Sequence, residues 1–247
     1  MARTNFLEKE TKTRIQENMR ESERLFNLTK PRTCPHCKKN PIRVDVDGAL
    51  LICEECAVDT KQANALKLFS MHKNTIMEKA CIPKEYQKAS IQDCVKLRPL
   101  IGQSALFTGS RGVGKTHAAV ALLLAQMELS GKFGALFVTS ADLLLEIRSC
   151  YNGKANEVEV LDKYTSANIL VLDDIGAEKP TEWTVATLGL IIDRRYREGS
   201  QTIFTSNLTP QEISDVVGDR IASRILGLCG RNIIFLNGTD RRLQDRG

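Results

Sequence analysis

Residues 104–125, "SALFTGSRGVGKTHAAVALLLA", constrain the fold more than any other stretch of the chain. An apolar run, a glycine loop and a helix-forming run follow one another without interruption. The loop from Gly109 to His117 fits G-x-x-x-x-G-K-[ST]. That pattern aims backbone N–H groups and a helix N-terminus at phosphate oxygens. It works only where a buried strand feeds the loop and a helix leaves it, so the segment demands an α/β domain. Gly109, Gly112 and Gly114 permit the turns, while Ser110, Arg111, Val113 and His117 complete the cradle. Lys115 is placed to reach the β- and γ-phosphates of ATP, and the Thr116 hydroxyl to ligate Mg2+.

The rest of the chain repeats this alternation. Short apolar runs at 104–109, 134–139, 168–173, 201–206 and 232–236 read as buried strands of a mostly parallel sheet. Helical stretches lie between them at 115–130, 140–151, 183–198 and 210–226. Ser140 to Asp142 and Thr209-Pro210 read as helix starts. Strand–helix alternation predicts a three-layer α/β domain. A length of 247 residues leaves room for a small second module, and 42% hydrophobic residues suffice for a core. No apolar run reaches the roughly 18 residues a bilayer span needs. The opening "MARTNFLEKETKTRIQENMR" is charged and lacks an apolar signal core. A cytoplasmic location without membrane contact is expected. The net charge of +5 fits either an ordinary solvated surface or nucleic-acid contact. The last 18 residues hold four arginines against two aspartates.

A hydrolase of this kind needs an acid on a neighbouring strand. "ANILVLDDIG" ends an apolar strand in two carboxylates. Asp173 is expected to hold the Mg2+ shell, and Asp174 falls where a water-activating base belongs. Two acids closing a buried strand are costly without a cation nearby. In "QTIFTSNLTP", Asn207 either orients the attacking water or serves as a turn residue before Pro210. In "VVGDRIASRI", Arg220 and Arg224 share a helix face. Arg220 is either surface charge or an arginine projected into a neighbouring subunit's site.

Ahead of this domain stands the pattern C-x2-C-x15-C-x2-C, formed by Cys34, Cys37, Cys53 and Cys56. Each pair puts two thiolates on one turn, and turn signals separate the pairs. This predicts a zinc ribbon closing all four positions around one Zn2+. His36 reads as a bystander. The role of the ribbon is left open between DNA contact, protein docking and stability. The expected organisation is a helical segment over 1–33, the ribbon over 34–56, a polar helical linker over 57–80 and the ATPase domain over 81–247. Cys81, Cys94, Cys150 and Cys229 read as reduced structural thiols.

From about residue 80 to 246 the order of motifs resembles the bacterial DnaC/DnaI helicase loaders, in the DnaA-like branch of AAA+ ATPases. The resemblance runs through "ACIPKEYQKASI", "FTGSRGVGKTHAAVAL", "VTSADLLLEI", "ILVLDDIGAEKPTEW", "IIDRRY", "TSNLTPQEISDVVGDRIASRI" and "GTDRRL". It implies a three-layer AAA+ P-loop ATPase domain with a truncated lid. Gly109, Gly114, Lys115 and Thr116 look like Walker A, and Asp173 and Asp174 like Walker B. Asn207 is similar to sensor 1, Arg220 to the arginine finger, and Arg242, with Arg241 as the alternative, to sensor 2. Asp174 is one methylene shorter than the glutamate many AAA+ proteins carry, which implies slow hydrolysis, stimulated by a partner or single-stranded DNA. Tyr151 and Trp183 fall in the regions that contact single-stranded DNA in the family, where each would stack on a base; core packing is the other fate of a lone aromatic.

The implied partners are a hexameric DnaB-type replicative helicase, single-stranded DNA, and further copies of the chain joined through ATP. ATP binding would drive assembly and hydrolysis release. Two alternatives differ in partner. An IstB-type transposition helper shares the ATPase half, but a metal-free N-terminus is expected there. A zinc-ribbon DNA-binding regulator would only sense ATP. A small-molecule kinase fits least, because no acceptor-binding signature accompanies the loop.

Overall fold

The computed structural model describes residues 32–34, 37–38, 41–42, 54–92, 95–151 and 156–240. These fall into two compact units that divide between Ala63 and Asn64. In the first unit, β1 (Arg32–Thr33) pairs antiparallel with β2 (Pro41–Ile42), with Arg32 opposite Ile42. Between them the Lys38 N–H donates to the Cys34 carbonyl at 2.8 Å, closing a tight turn. Residues 43–53, between β2 and the next described element, lie outside the described residues. Helix α1 (Glu54–Lys79) begins in this unit and breaks helical geometry at His72. Phe69 before this break and Ile76 and Met77 after it are buried, so the helix expected as a polar linker contributes to the core of the second unit.

The second unit is a five-stranded parallel sheet in the order β4-β5-β6-β3-β7. Its strands are β3 (Ala105–Thr108), β4 (Ala135–Thr139), β5 (Ile169–Asp173), β6 (Gln201–Ser206) and β7 (Ile233–Phe235). Each lies within the apolar run read for it. The helices are α2 (Lys115–Ser130), α3 (Ser140–Cys150), α4 (Glu157–Thr165), α5 (Glu182–Glu198), α6 (Pro210–Val217) and α7 (Asp219–Cys229).

Two differences from the sequence reading have physical causes. Helix α4 went unread because only Val160, Leu161 and Tyr164 of its short polar run carry the apolar face. The single helix read over 210–226 is two helices. Gly218, at φ 88°, ends α6 and starts α7 in a backbone conformation that other residues seldom take.

Side chains alternate across the sheet and build a core on each face. Phe107, Val171 and Ile203 face a cluster formed with α2 and the end of α1. Leu106, Leu170, Leu172 and Phe204 face a cluster built from α3 to α7. Both faces are covered, which is why the strands read as continuous apolar runs rather than alternating ones.

Arg195 of α5 is fully buried in this layer. Its guanidinium donates to the carbonyls of Tyr164, Thr165, Ala167 and Gln201 and to the Thr202 hydroxyl, at 2.6–3.0 Å. One side chain thus ties the end of α4 to the start of β6.

The chain leaves β3 through the phosphate loop and α2, then crosses to the far edge at β4. The reversal of strand order beside β3 leaves a crevice at the carboxyl ends of the strands, where open α/β sheets bind ligands. No described helix is long and apolar enough to cross a membrane.

Candidate functional site

The crevice is a cavity of about 610 Å3. Its walls include Arg111, Gly112, Gly114, Lys115, Thr116 and His117 of the loop, Asp173 and Asp174 after β5, and Asn207 after β6. Three separate segments therefore bring their sequence-read residues to one place. Glu85 and Tyr86, from a 3-10 turn within the stretch "ACIPKEYQKASI", to which the sequence reading gives no site role, line it too.

The loop needs its glycines. At Gly109, with φ 143°, an added Cβ would stand 2.1 Å from the Leu236 carbonyl oxygen. At Gly112, with φ 77°, it would stand 2.0 Å from the Asp240 carboxylate. Gly114 caps α2 in the left-handed region, and Val113 is buried beside it.

Lys115 is buried at 7% exposure, and its amine donates to the carbonyls of Gly109 and Ser110 and to Oδ1 of Asn207 at 2.7 Å. The Asn207 amide nitrogen in turn donates to Asp174. Asn207 thereby links the lysine to the second acid, with its oxygen on one and its nitrogen on the other. His117 adds a buried Nδ1 without a hydrogen-bond partner.

Asp173 ends β5 and is buried, with Oδ2 at 3.2 Å from the Thr116 hydroxyl. Burial, and after it the neighbouring charge of Asp174, push its carboxyl above the ordinary range; hydrogen bonds from Thr205 and Thr116 and the Lys115 charge pull the other way. Burial of a carboxylate favours a nearby cation, and a hydroxyl beside a carboxylate is the hard-oxygen pair that Mg2+ takes. The set therefore fits a divalent ion between loop and strand. Asp174 follows with a left-handed φ of 60°.

Arg220 does not line this cavity. It sits in the first turn of α7 with its side chain 78% exposed, beside Asp193 of α5. Arg224 and Arg197 pair with the same carboxylate. Arg241 and Arg242 lie outside the described residues.

Tyr151 and Trp183, read separately in the sequence, meet. The Trp183 indole N–H donates to the Tyr151 hydroxyl at 3.0 Å, and the rings pack edge to face. The Arg148 guanidinium covers the Trp183 ring at 4.6 Å. Tyr151 is 59% exposed, so core packing does not account for it.

In the first unit, the sulfurs of Cys34, Cys37 and Cys56 lie within 4.8 Å of one another, with Cys34 and Cys56 buried. Cys53 lies outside the described residues. Three converging thiols suit a tetrahedral Zn2+ site.

The family model described as IstB-like ATP binding protein matches residues 56–246. The chain is similar to the replicative helicase loader DnaC of Buchnera aphidicola subsp. Baizongia pistaciae, at 32% identity over 49% of this chain and 50% of that one. It is similar to the replicative helicase loader DnaI of Bacillus subtilis, at 27% identity over 76% of this chain and 68% of that one. The chain thus spans about half the length of the curated DnaC relatives it matches.

A crystal structure of the DnaC helicase loader superposes with a TM-score of 0.56 at 24% identity, covering 63% of this chain and all of that one, and supports the fold. A DnaI structure superposes at 0.54 with 25% identity, over 63% of this chain and 95% of that one. With its parallel sheet, phosphate loop and paired acids, the chain belongs to the IstB-like ATP binding protein family.

Proposed function

We propose that this chain is an ATPase that loads a hexameric DnaB-type replicative helicase onto single-stranded DNA. The observation that carries this reading is the convergence of Lys115, Thr116, Asp173, Asp174 and Asn207 on one cavity, with Arg220 exposed outside it. That is half of an ATP site plus a charge directed elsewhere. The relatives named replicative helicase loaders supply the partner class.

The residues divide the work. Gly109 to Thr116 hold the phosphates through backbone N–H groups, and the Lys115 amine counters their charge. Thr116 and Asp173 would hold Mg2+, which would supply neutralisation of phosphate charge. Asp174 takes the proton of the attacking water, and Asn207 fixes both Asp174 and that water. Arg220 completes the site of a neighbouring copy, as an arginine finger does. Arg242 or Arg241 adds the second sensor. The reaction is ATP plus water to ADP plus phosphate, slow until copies and DNA assemble. Binding favours the assembled state, and hydrolysis releases the loader.

Residues 34–56 form the zinc ribbon on Cys34, Cys37, Cys53 and Cys56, where the ion replaces a core that so small a unit lacks. With residues 1–33 it grips the helicase, and helix α1 leads from it into the ATPase domain, whose core takes in Phe69, Ile76 and Met77. Tyr151, exposed, is held by Trp183, which is half-buried against the core, and the pair presents a surface on which bases stack. The family description leaves an IstB-type transposition helper as the second reading; the cysteine cluster weighs against it.

The test is a pull-down of the full chain with a hexameric DnaB-type helicase, with and without ATP. ATP-dependent capture is expected. Failure to bind the helicase under both conditions, with binding to a transposase instead, would replace the loader reading with the transposition one.

A further inference from the structure

We propose that Thr205 is the positioning residue for both acids of the site: its one hydroxyl decides which oxygen Asp173 presents to the metal and holds Asp174 in its left-handed turn. This rests on the Mg2+-ATP reading above and adds a residue to it.

The ladder between β5 and β6 ends at Leu172 opposite Phe204. One residue farther, Thr205 takes over with its side chain. It is buried at 1% exposure. A hydroxyl has one proton and two lone pairs. Here the proton goes to Oδ1 of Asp173 at 2.6 Å, and a lone pair accepts the Asp174 N–H at 2.8 Å. The two bonds use the group in opposite senses, so neither competes with the other and the hydroxyl has one orientation. The Thr205 carbonyl accepts the Ile175 N–H at 2.9 Å, which ties the residue after Asp174 to the same point.

Two consequences follow from this placement. Asp173 has one oxygen committed to Thr205, so the other, Oδ2, faces the Thr116 hydroxyl. That is the side on which loop and strand would share a cation. Asp174 has φ 60°, a conformation unfavourable for a residue with a side chain unless its surroundings hold it. Its N–H is held by Thr205, and its carbonyl accepts from the Ser140 hydroxyl at 3.0 Å. Thr205 itself lines the cavity, beside Asp173 and Asp174.

A threonine that merely fills the core would behave otherwise. Valine has nearly its shape and none of its hydrogen bonding. Thr205→Val frees the Asp173 carboxylate to rotate and leaves the Asp174 N–H unsatisfied, while the loop that holds the phosphates keeps its own bonds. The defect is therefore specific to the metal.

The experiment measures binding of a fluorescent ATP analogue to the full chain as Mg2+ is varied, for wild type, Thr205→Val and Thr205→Ser. Thr205→Val should raise the Mg2+ concentration at half-maximal binding about tenfold, the scale of one lost charge-assisted hydrogen bond. Its affinity measured in EDTA should stay within about twofold of wild type. Thr205→Ser, which keeps the hydroxyl and loses the methyl, should restore the wild-type Mg2+ dependence. An unchanged Mg2+ midpoint in Thr205→Val overturns the proposal. So does a tenfold shift in Thr205→Ser, which remains decisive if the valine variant does not fold. Wild type that binds no nucleotide at any Mg2+ concentration overturns the ATP reading itself, a result distinct from either.

Discussion

The Arg220 guanidinium lies 3.7 Å from the Asp193 carboxylate, tethered within its own chain rather than directed at its own phosphate loop. Asp193 also holds Arg224 at 3.2 Å and Arg197 at 3.4 Å, and its acidity is strengthened by the Arg224 hydrogen bond and then by the three positive charges. Arg220 can leave this cluster while Arg224 keeps α7 docked on α5. Arg220→Ala should leave ATP affinity within about twofold and cut hydrolysis by assembled copies about 1,000-fold, the scale of an arginine finger. Asp193→Asn should raise assembled hydrolysis by less than about fivefold, because an exposed ion pair is weak. Steady-state phosphate release against protein concentration reads both. Normal hydrolysis by assembled Arg220→Ala would remove Arg220 from the mechanism.

Lys115 makes its contacts inside the loop and to Asn207 from a buried position. Lys115→Ala should weaken ATP binding by about 10- to 100-fold, since a charge-assisted contact to phosphate is lost. Calorimetric titration with ATP and Mg2+ measures this. Affinity unchanged from wild type would locate the nucleotide elsewhere.

The Glu146 carboxylate on α3 accepts from Lys163 at 2.8 Å and from the buried Tyr164 hydroxyl on α4. Burial raises its pKa, but these two hydrogen bonds and the Lys163 charge outweigh burial and hold it below the ordinary glutamate value. A lowered acid contributes stability that is present above its unfolded pKa and lost as pH falls through its folded one. Glu146→Gln should melt at a lower temperature than wild type at pH 7. The gap should close as pH falls below the ordinary glutamate range. Thermal melts from pH 7 to pH 3 test it, and a gap that widens on acidification contradicts the assignment.

Arg195 satisfies four carbonyls and a hydroxyl in the core. Lysine cannot reproduce that planar set of donors. Arg195→Lys should cost about 2–4 kcal/mol and lower the melting temperature by about 5–15 °C. A melting temperature within about 2 °C of wild type would show that water replaces the lost bonds.

On the zinc-ribbon reading, a strong chelator should abolish helicase capture and leave ATP affinity within about twofold, because Cys34, Cys37 and Cys56 belong to the first unit and the phosphate loop to the second. Capture that survives chelation would assign the docking contact to other residues.

The parts of the site that sequence made legible are those whose chemistry demands consecutive residues. A phosphate loop needs its glycines and lysine in fixed order, and an acid at a buried strand end is conspicuous after four apolar residues. What stayed hidden are relationships between residues far apart in the chain. Thr205 looks like any β-branched strand residue until its hydroxyl is seen on Asp173 and Asp174. Asp193 looks like solvated helix charge until three arginines are found on it. Tyr151 and Trp183 are 32 residues apart, and no spacing announces that an indole N–H meets a phenol oxygen. Arg195 sits in a run of charged residues, and nothing in "DRRYRE" tells which arginine turns inward.

The position of β3 in the sheet has a consequence for how the molecule is made. Its partners are β6, where Ala105 aligns with Ile203, and β7, where Leu106 aligns with Ile233. Both neighbours are translated long after it. A nascent chain that has emerged only through α5 carries a complete loop and lysine on a strand with no sheet around it. The nucleotide site is therefore completed late in synthesis, and apolar β3 lacks both of its sheet neighbours until the final strands arrive. Such long-range parallel pairing is slow and open to aggregation. A nucleotide that binds only the completed loop would stabilise the finished fold against this partly made one.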